Sequence, residues 1–305
     1  MTADQVLGLT AGLLGGALRV GAPFLFVSLG ECVTEKAGRI NLGLEGVLVL
    51  SAMAGFGGAY LTGSVWLGVL CAMAAGGLLA ALHGVLCSLP RVNDVATGIA
   101  LMLLGLGLAF YLGKPLIQPQ APQLPPIELG NWSSSPAVKA ALQINPLLPV
   151  GGLLAVFLWW AFANTRAGLL VRMAGDSAQA ARALGYSVAA IRIAATVVGG
   201  MIAGLGGACL TLFYPGSWNE GISSGQGLIA VALVIFARWS PLRCVGAALL
   251  FGGAGAIGPA LQSIGIGWGY HLFNVVPYVL TLVILVLSCK PGQLAAGAPG
   301  EFSAR

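Results

Sequence analysis

Nine apolar runs, separated by short polar or glycine-rich breaks, follow one another along the chain at residues 6–29, 40–61, 65–89, 95–112, 147–162, 189–214, 221–237, 244–261 and 272–289. A helix needs roughly 20 mostly apolar residues to cross about 30 Å of hydrocarbon. The pattern therefore predicts an all-α fold, a polytopic transmembrane helical bundle of about nine spans. The run 221–237 is the weakest, because its first half is rich in Gly and Ser. Gly8, Gly12 and Gly16 fall four apart, as do Gly200 and Gly204. Each set can line one helix face and permit close packing in lipid. Two connections are long. Residues 114–146 hold many prolines, which predicts extended or irregular chain, and residues 166–187 are the most polar stretch. Residues 1–290 read as one membrane domain and 291–305 as a loose tail.

Composition supports the membrane reading. Of 305 residues, 58% are apolar and 8% charged, against about 25% charged in a soluble domain. So few charges cannot cover a soluble globule, support disorder or form a basic nucleic-acid face. The net charge of +5 is better explained by topology. If residues 166–187 lie inside, alternating spans place Lys36, Arg39, Arg91, Arg166, Arg172, Arg182, Arg192, Arg238, Arg243, Lys290 and Arg305 inside or at the inner interface. Lys114 and Lys139 fall outside, and Arg19 within a span. That bias predicts an external N-terminus, an internal C-terminus and an external 114–146 loop. The start of the chain has no basic segment or clear cleavage site, so no cleaved signal peptide is expected.

Several signatures fail. The six cysteines are scattered among apolar neighbours and form no C-x-x-C pair. They read as small hydrophobes, with no metal site or disulfide framework. Gly253, Gly255 and Gly258 spell G-x-G-x-x-G inside an apolar span. Without a preceding strand or a following acidic residue, they read as a helix contact. Gly107 to Lys114 is one residue too long for a phosphate-binding loop and continues into Pro115. ATP hydrolysis by this chain alone is therefore not expected, and no cofactor is implied. His83 and His271 are isolated, which favours packing roles.

Two segments carry chemistry. Residues 38–46, Gly-Arg-Ile-Asn-Leu-Gly-Leu-Glu-Gly, place Asn41 and Glu45 at the start of a span. An ionisable group at membrane depth is a functional candidate unless paired or wet. Asn41 as a helix cap and Glu45 as a first-turn dipole partner would explain the same residues without a transport role. If Glu45 needs a cationic partner, Arg19 and Arg39 are the candidates. In the second segment, 172–186, Asp176 or Ser177 can cap a short helix over 178–184 that Gly185 ends. Small Ala181 and Gly185 would let a docking partner approach closely.

With those residues in view, the chain resembles the permease subunits of bacterial ABC importers of the ribose and branched-chain amino acid type. It is most similar to the nucleoside and simple-sugar subgroup. Residues 38–46 are similar to that subgroup's G-x-I-N-L-G-L-E-G signature. Gly175, Asp176, Ala180, Ala181, Leu184, Gly185 and Arg192 match the family's coupling segment, followed by a glycine-rich helix through 203–208. Residues 220–230 resemble its re-entrant motif. Two departures stand out: Gln226 replaces an arginine, and Met102 replaces an asparagine.

The resemblance implies half of a translocation pathway in the bacterial plasma (inner) membrane. It also implies an ABC ATPase subunit, a second like or unlike permease, an extracytoplasmic binding protein and a small polar solute, nucleosides ahead of sugars. The candidate pathway residues are Asn41, Glu45, Asn93, Glu220 and Gln226. ATPase coupling falls to Gly175, Asp176, Ala180, Ala181, Leu184 and Gly185. The competing class is an ATP-independent secondary transporter or channel, with Arg19, Glu45 and Glu220 as ion relays. The short inner helix and the lack of an inverted repeat argue against it.

Overall fold

The computed structural model describes residues 3–133, 135, 138–139, 142–213, 215–263, 275–288 and 297–303. His271, Cys289, Lys290 and Arg305 lie outside them. Membrane-length helices are α1 (Ala3–Lys36), α2 (Leu44–Thr62), α3 (Val65–Leu86), α4 (Asp94–Gly113), α5 (Leu147–Asn164), α8 (Val188–Leu212) and α10 (Pro241–Ser263). Between them come a two-residue ladder, β1 (Ile127–Glu128) with β2 (Gln143–Ile144), and the helices α6 (Arg166–Asp176) and α7 (Ala178–Ala183). The described chain closes with α9 (Gln226–Phe236), α11 (Val276–Ser288) and α12 (Gly300–Ser303).

Seven of these helices are long and apolar enough to span a bilayer among the described residues. The expected span at 221–237 is half helix. Turns occupy 220–225, and α9 has only 11 residues, about 16 Å of rise. Gly225 at its start has φ +78°, a left-handed geometry natural to glycine. The first span runs past residue 29 to Lys36, which carries Glu31 and Glu35 into the bundle. Pro23 and Pro259 sit inside membrane helices, where neighbouring helices can compensate for the lost backbone bond.

Small residues set the seams. A Cβ on Gly16 would lie 2.5 Å from Ala256 Cβ, and one on Gly252 would overlap Ala17 O, so α1 and α10 touch backbone to backbone. Gly30 meets Gly199 across α1 and α8, and Gly76 meets Gly200 across α3 and α8. Lipid provides no hydrophobic drive between helices, so such close packing supplies the attraction. The G-x-G-x-x-G letters fall within α10, with Gly255 against Val20 of α1. They serve a helix contact. On α4 and α5, Leu103, Leu153, Phe157 and Trp160 point outward, as lipid-facing side chains should.

Charge separates the two ends. Lys36, Arg172, Arg238 and Arg243 line one cavity, and Arg192 reaches the end of α1 there. At the opposite end the 114–146 loop folds down. Leu124 N donates to Leu212 O at 2.7 Å, Gln123 Nε2 to Gly216 O at 3.1 Å, and Trp218 is buried against Gly113. The tail, expected to be loose, packs over 297–303: Glu301 accepts a hydrogen bond from Ala178 N at 3.1 Å. An anion at the start of a helix explains that docking.

Candidate functional site

The segment 37–43 leaves α1, turns back and feeds α2. Asn41 is buried; its N–H donates to Glu31 Oε1 at 2.8 Å and its Oδ1 accepts from Gly43 N at 2.9 Å. Asn41 therefore closes a turn ahead of α2, and Gly43 occupies the cap position. Glycines let the segment nestle. A Cβ on Gly43 would lie 3.0 Å from Gly98 O, and one on Gly46 2.7 Å from Met102 Cα, so the segment and α2 rest on the α4 backbone. Met102 thus stands beside this contact.

Glu45 lies in the first turn of α2 and is 7% exposed. Its carboxylate faces the start of α9. Oε1 accepts from Ser223 Oγ and from Gly225 N at 3.1 Å, and Oε2 accepts from Gly227 N at 2.7 Å. Gly227 is a close-approach position, since a Cβ there would stand 2.5 Å from Glu45 Cα. The carboxylate therefore caps a second helix from outside, where exposed N–H groups and the helix dipole both favour an anion. From this point α9 rises about 16 Å toward the cationic end. Broken helices of this kind are tolerated only against protein or a wet cavity. Tyr278 Oη of α11 also donates to Ser224 O, at 2.7 Å.

Neither expected cation meets Glu45. Arg19 Nε donates to Gln143 O at 3.2 Å, at the opposite end of the bundle. Arg39 pairs with Asp94 at 2.6 Å, both side chains buried. The charge on Glu45 is met by helix N–H groups, which carry no charge letter in a sequence.

Of the other pathway candidates, Gln226 opens α9 beside this contact, and its Oε1 is buried without a partner among the described residues. Glu220 is exposed in the preceding turns. Asn93 lies apart: its side chain caps α4 by accepting from Val95 N at 2.8 Å and Ala96 N at 3.1 Å. Sequence reading missed Ser223, Asp94, and the buried pair Glu31 and Glu35. Trp239 Nε1 donates to Glu35 Oε2. A four-residue spacing on one helix was the signal for that pair.

The coupling candidates form a second layer at the cationic end. Ser177 Oγ accepts from Ala180 N at 3.2 Å, which starts α7. Gly185, at φ +82°, ends it: its N–H bonds Arg182 O and that of Tyr186 bonds Ala181 O, a Schellman closure. Ala181 is fully buried with Ala174, Ala178 and Val188, so it faces the bundle instead of a partner. Ala180, Leu184 and Gly185 are exposed, Leu184 at 66%. Asp176 Oδ1 accepts from Gly300 N at 3.4 Å. Gly175 is buried against α1, where a Cβ would overlap Lys36 O. Arg192 bolts these layers together, donating to Ala37 O at 3.0 Å and Ala174 O at 2.8 Å and pairing with Glu301 at 3.5 Å.

A helical membrane bundle with a broken helix and an exposed short helix at its cationic end is compatible with a transport subunit. Residues 13–287 match the family described as branched-chain amino acid transport system permease component, and the chain belongs to that family. A protein of Haloferax volcanii named for glucose ABC transport is 35% identical over 263 residues, covering 85% of this chain and 80% of its own. A nucleoside ABC transporter permease of Lactococcus lactis is 27% identical, covering 90% and 91% of the two chains. A guanosine ABC transporter permease of Bacillus subtilis is 28% identical, covering 87% and 88%. The chain is thus an ABC importer permease, a multi-pass protein of the plasma membrane. In such a system the permease is the non-catalytic subunit that works with an ATPase and a substrate-binding partner.

Proposed function

We propose that this permease forms half of the pathway for a nucleoside or simple sugar, and that the contact of Glu45 with α9 is its moving part. The observation that carries the reading is a continuous chain of contacts. The buried face of α7 packs on Ala174 of α6, Arg192 bonds both Ala174 O and Ala37 O at the start of the 37–43 segment, and that segment leads directly to Glu45. An ATPase pushing on Ala180, Leu184 and Gly185 would move α6, which is bonded to Arg192. The turn at 37–43 would then shift against the N-terminus of α9. Asn41, Gln226 and Glu220 would line or border the path, while Asn93 would act through the fold of α4. Two copies, like or unlike, would enclose the path, with the cationic end in the cytoplasm and the 114–146 loop facing a substrate-binding protein.

The relatives named for nucleoside, guanosine and glucose transport support this substrate class over amino acids. Uptake of labelled guanosine, ribose and leucine by vesicles carrying the full complex and ATP tests it. Uptake of guanosine or ribose, with leucine excluded, is expected. Transport of leucine alone would overturn the substrate class.

A further inference from the structure

A cavity of about 440 Å³ opens at the cationic end. Four cations line it: Lys36 at the end of α1, Arg172 of α6, and Arg238 and Arg243 on either side of the turn into α10. Its described lining includes no Asp or Glu. Among the described residues, Lys36, Arg172 and Arg243 enter no ion pair, and Arg172 Nε is buried without a hydrogen-bond partner. So many like charges around one concavity call for an anion.

The remaining walls are aromatic. Trp159 sits in the last helical turns of α5, half exposed, and Trp239 closes the floor. Arg238 and Trp239 both hold left-handed backbone, at φ +50° and +52°. Non-glycine residues rarely adopt this conformation, and it persists only where the surroundings enforce it. The pair of strained residues turns one cation and one indole toward the same cavity. Val156, less than a turn along α5 from Trp159, is exposed, and Leu153 and Phe157 continue that apolar surface round the helix. A polar, cationic cup at the interface thus continues into an apolar helix face.

We infer that this cavity binds the phosphoryl headgroup of an anionic phospholipid, whose acyl chains lie along α5. Basic pockets between helices at a membrane interface suit such headgroups. A soluble phosphate would use the cations but leave the aromatic wall and the α5 face without a role. An ATPase would reach the exposed α7 residues Ala180, Leu184 and Gly185, none of which lines the cup, although Arg172 also borders Ala180. The occupied site would clamp α1, α6 and α10 together behind the coupling helix, making transport sensitive to membrane composition.

Native mass spectrometry of the purified full chain, titrated with phosphatidylglycerol or phosphatidylcholine, tests the site. Wild type should retain phosphatidylglycerol preferentially. Arg172→Gln with Arg243→Gln should weaken that retention about 30-fold, from roughly tenfold or less per lost charge. Arg91→Gln, a cation at the same end that does not line the cavity, should leave it unchanged. Monodisperse elution of each variant controls for folding. Equal retention of the two lipids, or preference surviving in the double variant, would overturn the inference. So would displacement of phosphatidylglycerol by millimolar inorganic phosphate, which would make the ligand a soluble anion. Loss of ATPase binding with unchanged lipid retention would make the cup a protein dock and likewise refute it.

Discussion

Replacing Glu45 by Gln keeps the volume and removes the charge, so it isolates the electrostatic part of the contact with α9. Glu45 accepts three hydrogen bonds, two of them from backbone N–H groups of Gly225 and Gly227. Whichever way the amide is turned, its NH2 faces one of those N–H groups, and two donors cannot bond. A buried donor left unmet costs about 1–3 kcal/mol, and each remaining bond loses its charge assistance, about 1 kcal/mol. The loss of the anion at the α9 N-terminus adds about 0.3–1 kcal/mol. The sum is roughly 2–6 kcal/mol, which shifts the docked state of α9 by about thirtyfold or more.

A first-turn dipole partner serving only α2 would contribute at most about 1 kcal/mol. The assay is ATP-driven uptake in vesicles at matched protein level, with thiol labelling of a cysteine introduced by Ser224→Cys in a cysteine-free background. Ser224 is exposed in the turn before α9. Glu45→Gln is expected to abolish most uptake and to speed labelling at 224. Wild-type uptake with unchanged labelling would refute the reasoning. Because Arg19 bonds Gln143 at the far end, exchanging the charges of Glu45 and Arg19 should restore nothing.

Two further outcomes follow from the coupling end and from charge. Gly185→Trp and Ala180→Trp place bulk on the exposed side of α7 and should abolish substrate-stimulated ATP hydrolysis with insertion intact, whereas Ala181→Trp, aimed into a fully buried site, should lower the amount of folded protein; normal stimulation in the first two would remove the docking face. Thiol labelling should reach position 130 only from outside and position 182 only from inside, and labelling of 130 from the cytoplasm alone would invert the proposed orientation.

The membrane bundle was legible because hydrophobic runs of span length have few other meanings. The break before α9 was half legible: the Gly and Ser residues of 221–225 weakened the run, yet only the structure shows eleven helical residues beyond them. The end of α1 was misjudged for a physical reason. Glu31 and Glu35 look like a polar stop, but Asn41 N and Trp239 Nε1 supply donors that let both carboxyl groups stay buried. Those donors lie 10 and 204 residues away in sequence, beyond the reach of local pattern. The same holds for Glu45, whose partners are backbone groups 180 residues on. The capped ends of α7 were readable in Ser177 and Gly185, because capping chemistry is local. Which face of α7 is buried was not, because Val188 and Ala174 decide it.

The central claim is that movement at the coupling helix reaches the Glu45 contact through Arg192. The direct measurement is the thiol-labelling rate at position 224 in the assembled complex carrying Ser224→Cys, before and after addition of ATP, with Arg192 intact and with Arg192→Gln. Loss of the guanidinium removes its bonds to Ala37 and Ala174. ATP is expected to change the rate severalfold where Arg192 is intact and to leave it unchanged in the Arg192→Gln complex, while that complex's ATPase still hydrolyses ATP. An ATP-dependent change of equal size without the arginine, or none with it during active transport, would contradict the account.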